Sequence, residues 1–117
     1  MSKSAISIYV FGIYLGVMGL GFLFFPDTVL GLFGISSGTG LWIRISAMLI
    51  LILSYYYICL ARQEDKSFFR LTVHARATVI LFFVTFTLLG MAPPVLISFG
   101  VVDLIAAAWT AIALRSE

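Results

Sequence analysis

Five side chains in this sequence have the chemistry to hold a proton, a charge or a polar ligand away from water: Asp103, Arg76, Arg44, His74 and Tyr55. Asp103 interrupts an apolar run from about Pro94 to Leu114, some nine residues from its start. In hydrocarbon an ionised carboxylate costs at least about 2.5–3.5 kcal/mol, so it must face protein or water. Gly100, Asp103, Ala107 and Thr110 share a helical face, and all but the acid are small or polar. That face suits a proton or cation site. It equally suits one half of a buried ion pair, or a protonated hydrogen-bond donor.

Two arginines could answer the carboxylate. Arg76 lies near the start of the third apolar run, where its reading divides between a buried partner for Asp103 and a side chain reaching back to water. Arg44 opens the second run and shares a face with Met48, Leu51 and Tyr55. It reads as an interface anchor or as the cationic lining of a cavity. Tyr55, Tyr56 and Tyr57 step about 100° apart around a helix, so three rings face three ways. An aromatic belt at headgroup depth accounts for them, with ligand lining by Tyr55 as the alternative. Trp42 and Trp109 fit the same belt. His74 reads as a solvated or hydrogen-bonded side chain; pH sensing is its second reading.

The tools of most enzymes are missing. There is no phosphate-binding loop, no GxSxG elbow, no HExxH and no pair of carboxylates in one span. Cys59 is the only cysteine and His74 the only histidine, which excludes paired-thiol chemistry, a multi-cysteine metal site and a bis-histidine haem. The expectation is no catalytic residue, no metal and no cofactor.

What must position these side chains follows from composition. Of 117 residues 62% are hydrophobic and 10% charged, where a soluble domain carries about 25% charged residues. A bilayer core about 30 Å thick needs roughly 20 apolar residues in a helix. Four runs meet that length, at about 5–25, 41–61, 72–90 and 94–114. The first is too long for the apolar core of a signal peptide and is expected to remain as a span. Lys3, Arg62, Lys66, Arg70, Arg76 and Arg115 all belong to one side of such a topology, and the connections Pro26–Gly40 and Met91–Pro94 hold no Lys or Arg. Basic residues in short loops mark the cytoplasm. The sequence therefore predicts an all-α, four-transmembrane-helix bundle forming a single membrane domain, with N-terminus and C-terminus cytoplasmic. The net charge of +2 gives no reason to expect a nucleic-acid partner.

Within the first outer connection, Asp27 or Thr28 can cap a short interfacial helix carrying Val29, Leu30, Leu32 and Phe33, with Gly34 as its stop. Residues 36–40, Ser-Ser-Gly-Thr-Gly, read as a flexible lead into the second span. Pro93-Pro94 makes a turn and leaves spans three and four as antiparallel neighbours. Gly12, Gly16 and Gly19 form a small-residue face on span one, suited to close packing inside the chain more than to dimerisation.

Several of these stretches carry a resemblance: Gly16-x-x-Gly19 running into Phe25-Pro26-Asp27, Arg44 with Ala47, Tyr55-Tyr-Tyr57, Phe69-Arg70-x-Thr72-Val73, and Gly100-Val-Val-Asp103-Leu104 with Trp109-Thr110. Together they resemble small four-span bacterial membrane proteins of the DoxX-like group. That resemblance implies a multi-pass bundle in a bacterial inner membrane and carries over no catalytic residue. Some members are described as partners of membrane oxidoreductases. The expected function is accordingly an accessory or scaffold protein that binds lipid, a quinone-like molecule or a membrane partner, which includes a second copy of itself. The alternative is a small proton-coupled transporter or channel that uses Asp103.

Overall fold

The structure, a computed structural model, describes residues 1–32, 34 and 41–117. Among these residues it is all-helical: α1 Lys3–Phe24, α2 Pro26–Leu32, α3 Leu41–Arg62, α4 Lys66–Leu88 and α5 Val95–Arg115. Four of the helices are long and apolar enough to cross a membrane. The shortest has 21 residues, which at a rise of about 1.5 Å reaches about 31 Å, the depth of a hydrocarbon core. Their outward faces are equally apolar: Val17 is 67% exposed, Leu81 66% and Ile112 68%. Length and surface together are those of a multi-pass membrane protein.

Each boundary has a local cause. α1 ends at Phe24 because the residue before Pro26 is driven out of the helical region. Pro26 then starts α2 at the first helical position, where its missing N–H costs nothing. The short helix therefore begins earlier than a cap at Asp27 or Thr28 requires, and Asp27 instead sits in its first turn. Gly34 adopts a left-handed φ of 71° and its N–H bonds back to Gly31 O at 3.2 Å, as expected of a stop. Phe33 and the proposed flexible lead at 36–40 lie outside the described residues.

The turn between α3 and α4 is tighter than its composition suggests. Asp65 N–H bonds to Leu60 O and Glu64 N–H to Ala61 O, both at 3.2 Å, which is the Schellman pattern. That pattern needs a left-handed residue, and here it is Glu64, at φ 55°. Asp65 then caps α4 by accepting the Phe68 N–H at 3.1 Å. Helix α4 thus starts at Lys66, so that Lys66 and Arg70 stand on helical turns. Gly90, at φ 76°, closes α4 with the same kind of motif, Met91 N–H reaching Phe86 O at 2.9 Å.

The chain divides into two compact units, Met1–Ile8 with Leu60–Glu117, and Tyr9–Cys59. In the second, α1 packs on α3 through its glycines. A Cβ at Gly12 would lie 3.0 Å from Ile58 Cγ1, at Gly16 3.0 Å from Ser54 Oγ, and at Gly19 2.8 Å from Leu51 Cγ. The Ser54 hydroxyl donates to Gly12 O at 2.6 Å, a bond that only so close an approach allows. The glycine face thus serves packing within the chain. Phe22, Leu30 and Ala47 close the core of that unit from α1, α2 and α3. In the first unit α4 packs along α5, with so little room at Gly100 that a Cβ there would meet Ile80 Cα at 2.9 Å.

Candidate functional site

The second unit carries an open groove of about 580 Å³ between the end of α1 and one face of α3. Leu23, Ile45, Met48, Leu51 and Ile52 line it, with Arg44 at one end and Tyr55 and Tyr56 at the other. The face shared by Arg44, Met48, Leu51 and Tyr55 is therefore a groove wall. Arg44 is exposed, and its Nε donates to Leu23 O at 3.3 Å, which fixes the base of the guanidinium. Its two Nη groups make no hydrogen bond among the described residues. Tyr55 is 65% exposed and Tyr56 51%, while Tyr57 is 7% exposed and packs on Phe11 with ring centroids 5.5 Å apart. The three directions of the tyrosine run thus separate two outward rings from one core ring.

In the first unit the chemistry is different. Arg76 is 3% exposed, about 15 Å from the start of α4 at 1.5 Å per residue. Its Nη2 donates to Thr110 Oγ1 at 2.9 Å and Thr72 Oγ1 at 3.2 Å, and its Nε to Thr72 O at 3.3 Å. Two hydroxyls and a helix carbonyl thus receive Nε and Nη2 of this guanidinium. Thr110 Oγ1 also lies 2.7 Å from Ser7 Oγ, whose own proton goes to Ser4 O at 2.6 Å. Each hydroxyl has one proton. Donation therefore runs from Arg76 to Thr110, from Thr110 to Ser7 and from Ser7 to the Ser4 carbonyl. The other acceptor open to Thr110, Ala106 O, is farther at 3.2 Å.

Charges continue the network toward the helix ends. Lys66 Nζ donates to Ser2 Oγ at 2.9 Å and Ser4 Oγ at 3.0 Å, and forms an ion pair with Glu117. Glu117 also accepts the Ser4 N–H at 2.8 Å and the Ser4 hydroxyl at 2.7 Å. Lys66, and after it Ser4, hold the Glu117 carboxyl down at about 2 from its ordinary 4.5. Glu64 accepts the Ser2 N–H at 2.8 Å and the Ser2 hydroxyl at 3.0 Å, and that backbone bond above all keeps its carboxyl below the usual range. Two carboxylates thus satisfy N–H groups at the start of α1 that no helix turn can reach.

Asp103 is half-buried on α5, on the face that includes Gly100, Ala107 and Thr110. Those three neighbours are buried, whereas Asp103 accepts no hydrogen bond and forms no ion pair within its own unit. The charge of Arg76, in the same unit, acts on it. His74 is exposed and lines a shallow cleft with Arg70, Val73, Ala111 and Leu114.

Of the five candidates, the structure brings Arg44 and Tyr55 into one groove and leaves His74 in a separate cleft. Sequence reasoning missed Ser2, Ser4, Ser7, Thr72, Lys66 and Glu117 as a connected set. The serines at i, i+2 and i+5 from position 2 were the available signal. Comparison with protein-family models, curated proteins and solved structures finds no match for this chain.

Proposed function

We propose that this chain is a small multi-pass protein of a bacterial inner membrane, DoxX-like in character, that acts as an accessory or scaffold protein by holding one elongated anionic amphiphile in the groove of α3. The single observation that carries this is an apolar trough with a guanidinium at one end. From Arg44 to Tyr55 is eleven residues, about 16 Å of helix. Half of a hydrocarbon core is about 15 Å. The groove therefore matches one acyl chain from one leaflet, with its acidic head at Arg44. A phosphate or carboxylate there accepts from the open Nη groups, and such charge-assisted bonds are stronger than neutral ones.

The clustering of Lys66, Glu64, Glu117 and the start of α1 supports a common side for both termini, and the surplus of lysine and arginine there favours the cytoplasm. Native mass spectrometry from a mild detergent tests the main reading. The wild type should carry one amphiphile mass, which Arg44→Gln and the groove-filling Ile52→Trp both lose. Equal retention by all three proteins overturns the proposal, and a neutral quinone mass in place of an acidic lipid would reassign the occupant.

A second reading, proton or cation coupling at Asp103, is favoured by one observation: a half-buried carboxylate without a hydrogen bond in its unit, inside an apolar helix.

A further inference from the structure

Independent of the α3 groove, we infer that the cleft between the start of α4 and the end of α5 holds the headgroup of a second, net-negative phospholipid. Arg70 and His74 stand one turn apart on α4 and rim the cleft, and Val73, Ala111 and Leu114 form its apolar wall. The volume is about 160 Å³. At roughly 30 Å³ per water in the liquid, that is the space of about five waters, enough for the phosphate of a headgroup but not for an acyl chain. Two turns deeper on the same helices, Leu81 and Leu104 are exposed apolar side chains along which a chain can lie.

Chemistry selects the headgroup. Arg70 presents a planar fork that fits two phosphate oxygens, and the His74 ring adds a third N–H. No carboxylate lines the cleft, so a choline or ethanolamine cation finds no partner. Glu117, just after the end of α5, is held by Lys66 and Ser4. A phosphatidylglycerol-type head leaves one net negative charge for Arg70 to meet. A zwitterionic head brings a positive group next to an arginine.

The test uses the full chain in an Arg44→Gln background, so that failure of the groove proposal and failure of this one give different results. Protein in detergent is mixed with phosphatidylglycerol or phosphatidylcholine, and bound lipid is read by native mass spectrometry. Phosphatidylglycerol should be retained about tenfold over phosphatidylcholine, the preference expected from one charge-assisted contact. Arg70→Gln should abolish that preference and His74→Phe reduce it. Ala111→Leu, which fills the cleft without touching a charge, should lower retention of both lipids. Equal retention of the two lipids, or a preference that survives Arg70→Gln, overturns the inference. Loss of phosphatidylglycerol to equimolar inorganic phosphate would also overturn it, by making the ligand a soluble anion.

Discussion

Replacing Thr110 with valine removes one hydroxyl and adds one methyl, leaving the shape of the site intact. The hydroxyl accepts from buried Arg76 at 2.9 Å and donates to Ser7 at 2.7 Å. A hydrogen bond to a charged group contributes about 1.5–3 kcal/mol and a neutral one about 0.5–1.5 kcal/mol. Polar contacts between membrane helices run lower, about 0.6 kcal/mol on average and at most about 1.7 kcal/mol, because helices in lipid find other partners. With Thr110 fully buried, the loss for Thr110→Val should fall at about 1–3 kcal/mol. Sodium dodecyl sulfate titration from mixed micelles reads it, with adjacent Trp109 as the fluorescent reporter. A double-mutant cycle with Arg76→Met isolates the arginine contact, which should account for about half of the loss. A cost below about 0.3 kcal/mol, or the same cost with and without Arg76, would refute the reasoning. The guanidinium would then be satisfied by something other than the Thr110 hydroxyl.

Two further outcomes follow from the carboxylates. Because the Glu117 carboxyl sits at about 2 in the folded protein and at 4.5 ordinarily, the native state binds fewer protons between those values. Its contribution is complete above about 4.5 and disappears as pH falls toward about 2. Protection of the Ser4 amide, its exchange rate relative to an unstructured chain at the same pH, should fall over that window, and Glu117→Gln should remove that fall; a wild-type protection that stays constant on acidification disproves the latch. For Asp103, proteoliposomes loaded with a pH dye should show a proton flux that Asp103→Asn abolishes if the residue carries protons. Identical flux in the two proteins eliminates that role.

The four long helices were legible because a bilayer imposes a length and a composition that few other contexts require. Gly34 and Gly90 were legible as punctuation, since left-handed backbone favours glycine. Glu64 was not: a glutamate at φ 55° is uncommon, and what holds it there is a carboxylate bonded to Ser2, far away in sequence. The hydroxyl network was hidden for a related reason. Threonines in apolar helices usually bond their own preceding turn, as Thr85 does to Leu81 O and Thr87 to Phe83 O. Thr72 and Thr110 look no different in sequence. Thr72 also bonds its preceding turn, at Phe69 O, and meets Arg76 as an i, i+4 neighbour on α4, whereas only the packing of α4 on α5 brings the Thr110 oxygen to Arg76.

Burial also separates the two arginines. From sequence, Arg44 and Arg76 are both cations near the ends of apolar runs, Arg44 read as an interface anchor or cavity lining and Arg76 as a buried partner for Asp103 or a side chain reaching back to water. In the structure Arg76 is 3% exposed and fixed by two threonines, so a ligand could approach only by breaking bonds worth about 1 kcal/mol or more each. Arg44 keeps one weak bond to Leu23 O and faces an apolar groove. The acidic amphiphile proposed for α3 would give the Arg44 charge a partner without moving any part of the protein. Burial makes Arg76 a structural centre; exposure beside apolar surface is what the proposed binding role of Arg44 rests on.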